Sequence, residues 1–310
     1  MRTNDVKEAA RGKWFGILVA LGIQLPPVNR HGACPICGTG RNSHRFRFDD
    51  GEDQSGSWIC TQCGSGKGID LIMKVLNVDF KGAVEAVRSV IGSAEITKQQ
   101  PEPKMSKSLL RKIYLESKLV ELNDPVSLYL KNRGISVLSE KLRYHPACYE
   151  PETKGKLPTM LATFMLADNT AITMHRTFLT KFGNKADIAN PKKVLPSLAD
   201  MAGGAIRLFE PKEDGIIAIA EGIETALAVY ELTHIPTWSV VSSGLMESFE
   251  PPKGIKHVMI FSDRDENYVG QRAAYILANK LVVQRKKTAE VFLPKDSGDF
   301  LDELRKQKGL

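Results

Sequence analysis

The chain has 310 residues, of which 42% are hydrophobic and 25% are charged, so it is a folded globular protein of two or three domains and neither fibrous nor disordered. No stretch of about 18 apolar residues is present to span a bilayer, and we expect a cytoplasmic protein. The net charge of +7 is uneven, with 16 Lys and Arg against 10 Asp and Glu over residues 107–210 but 13 against 15 over residues 211–310. A basic segment followed by an acidic one suits a polyanion held beside a metal site.

The N-terminal apolar segment "WFGILVALGI" begins at Trp14 and is ten residues long. Basic residues precede it, as in a signal peptide, but Gln24 to Asn29 contain no small-residue cleavage site. The segment therefore predicts an amphipathic helix.

Four of the five cysteines form two Cys-x-x-C pairs separated by 22 residues, and a glycine follows each pair. This spacing supplies four thiolates to one tetrahedral zinc, whereas disulfides are disfavoured in a cytoplasmic chain. His31 and His44 are possible ligands only if a cysteine is not, and Cys148 is expected to be a buried hydrophobic residue. The predicted zinc ligands are Cys34, Cys37, Cys60 and Cys63.

The segment between the two cysteine pairs alternates basic and aromatic residues. As a strand it places Arg45 and Arg47 on one face and Phe46 and Phe48 on the other. A zinc ribbon of this kind suits single-stranded nucleic acid, with the arginines on phosphates and exposed aromatic residues, including Trp58, on bases. The alternative for Phe46 and Phe48 is that they fill the small core of the ribbon.

The segment "GSGKGID" lacks the first glycine and the Ser or Thr of a Walker motif, and we expect it to lead into a helix capped near Asp70. Helical patterning continues to residue 92. Residues 93–108 are polar, contain two prolines and predict a flexible linker. We therefore expect a first domain over residues 1–92.

A basic subdomain is expected over residues 109–212. A helix is predicted from Leu109 to Leu122, a second helix from the Asp124-Pro125 cap to Gly134, and a hairpin over residues 160–178. Charged residues inside or beside its apolar stretches need a partner or a ligand. The candidate nucleotide or DNA contacts are Arg176, Lys192, Lys193 and Arg207.

Residues 213–310 alternate short apolar strands with helices, a pattern typical of a parallel sheet covered on both faces. Ligands of such sheets bind beyond the carboxyl ends of the strands. Glu221 ends one strand, Asp263 and Asp265 follow another, and Asp299 follows the last. Carboxylates gathered at one edge repel one another unless a cation compensates, and hard oxygen ligands suit Mg²⁺ or Mn²⁺.

The motifs "AEGIETA", "FSDRDEN" and "KDSGDF" resemble the Toprim domain shared by DnaG-type primases, topoisomerases and some nucleases. The segment from "CPICG" to "GSGKGIDLI" resembles the zinc ribbon of satellite-phage and plasmid primases, and "YLKNRGI", "MHRTFLTKFGNKA" and "GGAIRL" resemble the basic half of their catalytic core. The turn "ENYVG" after Asp265 differs from that of DnaG and leaves Glu266 and Asp299 as alternative third metal ligands.

The resemblance implies an α+β multidomain chain with a zinc ribbon, a mixed α/β basic subdomain and a Rossmann-like α/β Toprim domain built on a parallel sheet. It further implies a DNA primase of a mobile element, in which Glu221, Asp263 and Asp265 hold Mg²⁺ and Glu221 accepts a proton. Single-stranded DNA and ribonucleoside triphosphates would be its substrates. The alternatives are a Toprim-type nuclease and a non-catalytic adaptor that binds single-stranded DNA and recruits a helicase. No helicase segment precedes the end at Leu310, so we expect a separate helicase.

Overall fold

A computed structural model describes residues 3–28, 30–38, 45–50, 54–91 and 106–310. The chain divides into two compact units, Met1–Glu102 and Pro103–Leu310. Among the described residues, no helix combines the length and the hydrophobicity needed to cross a membrane. Most of the predicted linker over residues 93–108 lies outside the described residues.

The first unit packs four helices against a small antiparallel sheet, whose strands lie in the order β1-β2-β3-β4. The predicted amphipathic helix is confirmed as α2, which buries Trp14, Ile17 and Leu18. Helix α3 begins at Gly68, after the N-cap residue Lys67. The side chain of Asp70, the third residue of the helix, accepts a hydrogen bond from the backbone N–H of Lys67 at 2.8 Å. The elements are α1 (Thr3–Ala9), α2 (Trp14–Ala20), β1 (His31–Gly32), β2 (Phe46–Phe48), β3 (Trp58–Cys60), β4 (Gly64–Gly66), α3 (Gly68–Leu76) and α4 (Phe80–Val90).

The second unit begins with antiparallel strands and short helices. Asp124 caps α6 by accepting hydrogen bonds from the backbone N–H groups of Val126 and Ser127, and Pro125 is the first helical residue, as predicted. The elements of this half are α5 (Lys107–Leu115), β5 (Lys118–Leu119), α6 (Pro125–Asn132), β6 (Leu142–Glu150), β7 (Gly155–Met165), β8 (Ala171–Phe178), β9 (Lys192–Val194) and β10 (Ala205–Arg207).

The remainder of the second unit alternates strands with helices, as the sequence predicts. Its elements are β11 (Ile216–Ala220), α7 (Ile223–Thr233), β12 (Thr237–Ser239), α8 (Ser243–Ser248), β13 (His257–Phe261), α9 (Val269–Asn279), a π-helical turn (Lys280–Gln284), β14 (Thr288–Phe292) and α10 (Phe300–Gln307).

Within residues 106–310 the strands form one ten-stranded mixed sheet, in the order β14-β13-β11-β12-β10-β7-β6-β5 with β8 and β9 beyond β7. Strands β14, β13, β11 and β12 are parallel, and β10 joins them to the antiparallel half by pairing with β12 and β7. The sheet therefore runs without a break through both expected subdomains, 109–212 and 213–310.

Both faces of the parallel strands are buried. Ile217 and Ile219 pack in the cluster that includes Leu277 of α9, whereas Ala218 and Ala220 pack in the cluster that includes Leu227 of α7. Alternate residues of one strand thus contact helices on opposite faces. This explains why these strands read as continuous apolar runs.

Two sequence predictions need correction, and two elements were not predicted. The helix expected from Leu109 to Leu122 ends at Leu115, because Lys118 and Leu119 pair with β6 as a strand. The sequence pattern predicts one helix from Gly270 to Gln284, but a π-helical turn begins at Lys280. The sequence also gave no indication of β6, which contains a proline and a register shift between His145 and Cys148, or of helix α8.

Candidate functional site

The four predicted zinc ligands converge in the ribbon. One ligand atom from each of the four cysteines lies within 4.8 Å of the others, and the Sγ atoms of Cys34 and Cys63 are 3.8 Å apart. Gly38 and Gly64, which follow the two pairs, have φ angles of 55° and 87°, a region that favours glycine. His44 lies outside the described residues.

This cluster fits zinc. Zn–S bonds of about 2.3 Å in a tetrahedron give sulfur–sulfur separations of roughly 3.8 Å, which is the separation of Cys34 and Cys63. Burial, followed by the neighbouring thiols, raises the pKa of the Cys63 thiol well above its usual range. Four thiolates this close together would need a cation, and a structural zinc ion would provide it.

The aromatic residues of the ribbon form its core and do not offer a stacking surface. Phe46 and Phe48 are fully buried, so the alternative in which they fill the ribbon is correct. Trp58 is 2% exposed, lies 6.0 Å from the Phe46 ring and donates its indole N–H to Lys67 O at 3.0 Å. The prediction that Trp58 contacts bases is therefore wrong.

The two ribbon arginines lie nearer to solvent. Arg45 is exposed and donates to Gln62 Oε1 at 2.9 Å, while Arg47 is partly exposed and pairs with Asp49 Oδ2 at 3.0 Å. Their contact with nucleic acid stays a prediction.

The acidic residues of the second unit follow the carboxyl ends of two neighbouring parallel strands. Ala220 pairs in register with Phe261, so Glu221 lies beside Ser262 and one residue before the level of Asp263. Both side chains leave the sheet at its carboxyl edge. The structure thus brings together the two carboxylates that the sequence placed on separate strands.

The environment of this pair disfavours charge. Burial, then the charges of Asp263 and Asp265, raises the pKa of Glu221 to about 7. Burial, then the charges of Asp299, Asp265 and Asp302, raises the pKa of Asp263 to about 7. Three further carboxylates, those of Asp265, Asp299 and Asp302, therefore act on the Glu221 and Asp263 pair.

The remaining acidic residues differ in their surroundings. Asp265 is exposed, and Arg264 between the two aspartates points away and donates to Pro294 O at 2.6 Å. Asp299 caps α10 and accepts from Thr225 Oγ1 at 3.2 Å. Its charge is the first of those acting on Asp263, whereas Glu266 is not among them. Of the two alternatives for a third metal ligand, the surroundings favour Asp299.

The chemistry of these donors suits a hard divalent cation, although within the described residues the four cysteines are the one group of three or more possible ligands whose ligand atoms lie within 4.8 Å of one another. Asp263 Oδ1 is buried and has no hydrogen-bond partner within the described part of the chain. An orphaned carboxylate oxygen among like charges is costly unless a cation binds there. Carboxylate oxygens are the protein ligands that Mg²⁺ prefers, so Glu221, Asp263, Asp265 and Asp299 are the residues that would hold it.

A buried carboxylate that the sequence predictions missed lies next to this site. Glu224, in the first turn of α7, accepts hydrogen bonds from Tyr129 Oη at 2.6 Å and from Lys192 Nζ at 2.8 Å. His175, on β8, is buried and the pKa of its ring is lowered to about 4, first by burial. The imidazole is therefore neutral at pH 7.

The other predicted basic contacts have partners within the protein. Lys193 pairs with the buried Glu150 at 2.5 Å. Arg176 is buried and donates to Tyr149 O at 3.1 Å. Arg207 donates to Asn169 and to Leu166 O and lies over the Trp238 ring, so it stabilises the turn between β7 and β8. Nucleotide or DNA contacts of these three residues stay predictions.

Family comparisons bear on both sites. Residues 216–309 match the Toprim domain family. The chain contains a Toprim domain. Residues 29–69 match the zinc-binding domain of primase-helicase, and residues 104–208 match a domain of unknown function, DUF7146. The acidic edge is thus the edge of the Toprim domain, and the four cysteines belong to a zinc ribbon of the primase type.

Solved structures with low similarity to the chain include two primase fragments. The primase fragment of the bacteriophage T7 primase-helicase protein has 11% identity and a TM-score of 0.41 over 90% of this chain and 96% of that chain. The zinc-binding and RNA polymerase domains of the Aquifex aeolicus primase have 16% identity and a TM-score of 0.40 over 98% and 82%. These values are too low to relate individual residues of the chains.

One feature of the sequence indicates that Glu224 has a buried partner. Glu224 is the one charged residue in the run "IETALAV" of the Toprim domain, and the remaining residues of that run are apolar or small. A charge inside an apolar stretch needs a partner, which is the argument that singled out Arg176 and Arg207. Its partners, Tyr129 and Lys192, lie 95 and 32 residues away in sequence, and no local pattern predicts them.

Proposed function

We propose that the chain is a DNA primase that synthesises short RNA primers on single-stranded DNA by magnesium-dependent nucleotidyl transfer. The single observation that carries this proposal is that Glu221 and Asp263 follow adjacent parallel strands at the carboxyl edge of the Toprim domain, where Asp263 Oδ1 is buried and has no hydrogen-bond partner among the described residues. Such a site gathers negative charge where a divalent cation and the phosphates of a nucleotide can meet.

The acidic residues at this edge would hold the metal and accept a proton. Asp263, Asp265 and Glu221 would hold the metal, with Asp299 as a further ligand. When bound, Mg²⁺ would neutralise the triphosphate and lower the pKa of the attacking 3′-hydroxyl. Glu221 would accept the proton of that hydroxyl as the hydroxyl oxygen bonds to the α-phosphorus and pyrophosphate leaves.

The basic residues would bind the polyanionic substrates. Lys192 and Lys193 on β9, with Arg176 and Arg207, would contact phosphates of the nucleotide or the template. Arg45 and Arg47 of the zinc ribbon would contact the template strand. The same proposal includes a separate replicative helicase as partner. It also includes a phage, plasmid or other mobile element as the source of the replicated DNA, and a cytoplasmic location.

One assay separates this function from its alternatives. The purified chain is incubated with single-stranded DNA, Mg²⁺ and labelled ribonucleoside triphosphates. A primase yields template-dependent oligoribonucleotides, a Toprim-type nuclease yields shortened DNA, and an adaptor binds DNA that stays unchanged. The proposal predicts oligoribonucleotides from the wild type and none from Asp263→Ala. Cleaved or unchanged DNA with no RNA product would overturn it.

A matched control is available at the same edge of the sheet. Asp296 lies three residues before Asp299 but is exposed and pairs with Lys306 Nζ at 2.6 Å. Asp296→Ala should therefore retain primer synthesis. Binding of single-stranded DNA, measured by fluorescence anisotropy, should be similar for the wild type and both variants.

A further inference from the structure

Glu224 is a charged residue in a place where an apolar one would pack. Its side chain is 6% exposed, and it lies three residues after Glu221 on the helix that follows β11. Burial acts to raise its pKa, but the charge of Lys192 and the hydrogen bonds from Lys192 and Tyr129 together lower it to about 2. The carboxylate is therefore ionised at neutral pH inside the protein.

The two partners come from distant parts of the chain. Tyr129 lies on α6 and is 2% exposed, with its hydroxyl 2.6 Å from Glu224 Oε1. Lys192 begins β9, and its Nζ lies 2.8 Å from Glu224 Oε2. Each carboxylate oxygen thus has one donor. Burying such a pair contributes little net stability, which indicates that it serves to fix geometry.

The ammonium of Lys192 contacts this buried carboxylate and also acts on the acidic edge. Its side chain is 37% exposed, and its positive charge acts to lower the pKa of both Glu221 and Asp263. An ammonium has three N–H donors, and Glu224 takes one of them. Two donors are then left for a substrate phosphate.

A second lysine lies near the Lys192 and Glu224 pair. Burial, then the charge of Lys192, lowers the pKa of Lys185, whereas Glu224 acts on it in the opposite direction. Basic side chains beside this pair would favour a polyanionic ligand.

We propose that Glu224 and Tyr129 are positioning residues, which hold the Lys192 ammonium beside the acidic edge so that it donates to phosphate oxygens of the ribonucleoside triphosphate. This inference rests on the proposed function. Tyr129 fixes the carboxylate, the carboxylate fixes the ammonium, and the ammonium contacts the nucleotide. Lysine loses much of its rotamer freedom on binding, and a preset rotamer reduces that loss.

The structure contains a matched control for this arrangement. Lys193, the next residue of β9, also pairs with a buried carboxylate, that of Glu150, at 2.5 Å. Successive residues of a strand point to opposite faces. The charge of Lys193 is not among those that act on Glu221 or Asp263. Glu150→Gln thus breaks a similar buried ion pair away from the acidic edge.

The test is an equilibrium titration with a fluorescent ribonucleoside triphosphate and Mg²⁺, beside an anisotropy titration with single-stranded DNA. Glu224→Gln should weaken nucleotide binding by about tenfold and Tyr129→Phe by about threefold, because a charge-assisted contact is lost or loosened. DNA binding should change less than twofold in both. Glu150→Gln should weaken nucleotide binding by no more than about twofold, because Lys193 points to the face of β9 opposite Lys192.

A double-mutant cycle of Glu224 and Lys192 distinguishes a positioning role of Glu224 from a purely structural one. If Glu224 acts through Lys192, Glu224→Gln should weaken nucleotide binding no further in a Lys192→Met background. Three outcomes would each overturn this inference without affecting the proposed function. They are additive losses in the cycle, equal binding by the wild type and both positioning variants, and a loss in Glu150→Gln as large as in Glu224→Gln. A wild type that binds no nucleotide would overturn the proposed function as well. Tyr129→Phe removes one hydroxyl, so it tests the inference even if Glu224→Gln does not fold.

Discussion

Glu221 and Asp263 leave adjacent parallel strands at the same edge of the sheet, and burial together with the charges of neighbouring carboxylates raises the pKa of each to about 7. Two such groups share a site that is unfavourable for two negative charges. The protein maintains this arrangement although an amide or hydroxyl in either position would be less costly. A buried cluster of like charges is a common property of catalytic and metal sites.

Asp263→Asn should stabilise the magnesium-free protein at pH 8. Because the pKa of Asp263 is raised to about 7 in the folded state, the folded state binds more protons than the unfolded state between about pH 4 and pH 7, and stability falls as pH rises through that window. The variant avoids this loss and should gain about 2 kcal/mol at pH 8 and little at pH 4. Urea unfolding in a chelator measures both values.

The control for this experiment is Asp296→Asn, because Asp296 is exposed and the pairing with Lys306 lowers its pKa. It should gain no stability at pH 8. Saturating Mg²⁺ should stabilise the wild type and reverse the order of wild type and Asp263→Asn. A variant less stable than the wild type in chelator would contradict the assigned electrostatics.

Cys63→Ser should lose zinc and the fold of the ribbon. The Sγ atoms of the four cysteines lie within 4.8 Å of one another, so a serine removes one of four ligands. Structural zinc contributes on the order of 10 kcal/mol to small domains, so its loss should unfold the ribbon. Metal analysis should give one zinc per wild-type chain and a reduced content in the variant. Cys148→Ser, at a buried thiol outside the cluster, should retain one zinc.

Glu150→Gln should destabilise the second unit at neutral pH and have no effect in acid. Burial acts to raise the pKa of Glu150, but hydrogen bonds from Lys193 and Thr153 lower it to about 2. The stability that this carboxylate contributes is present above about pH 4.5 and is lost as pH falls through about 2. We expect a loss of about 3 kcal/mol at pH 7, as is typical when one partner of a buried pair is removed.

Urea unfolding at pH 7 and at pH 2 tests this expectation. Glu210→Gln is the control, since its pair with Lys141 is exposed and such pairs contribute little. An equal loss in Glu150→Gln at both pH values would show that the charge of Glu150 is unimportant.

Arg45→Ala should weaken binding of single-stranded DNA and make it less dependent on salt. Arg45 is exposed on the ribbon and its guanidinium is close to solvent. Loss of one phosphate contact reduces the slope of log K against log salt by about 0.7 for single strands. Anisotropy titrations between low and high salt give the slope, and an unchanged slope would remove Arg45 from the interface. Arg11→Ala is a matched control, because Arg11 pairs with Glu8 on the helical side of the same unit.

Much of the fold follows from short-range patterns. Apolar runs of about five residues gave β11 and β13, and the acids after them gave the position of the site, because parallel strands end at one edge. Asp124 and Pro125 gave the start of α6 through the chemistry of one cap. The spacing of the cysteines predicted the four residues of the cysteine cluster.

Other features depend on contacts that no local pattern encodes. Strand β6 contains Pro146 and a shift in register, which hide its alternation. The type of residue alone predicts an exposed Trp58. Trp58 lies two residues before the buried Cys60, a predicted zinc ligand, so both side chains are on the same face of β3. The Glu224 pairs join three segments far apart in sequence.

Manganese binding tests the central claim of a divalent metal site most directly. Electron paramagnetic resonance titration of Mn²⁺ reports free ion and needs neither nucleotide nor DNA. We predict that the wild type and Asp296→Asn bind Mn²⁺ with similar affinity, and that Asp263→Asn and Glu221→Gln bind it at least tenfold more weakly. Equal Mn²⁺ binding by the wild type and Asp263→Asn would contradict the account.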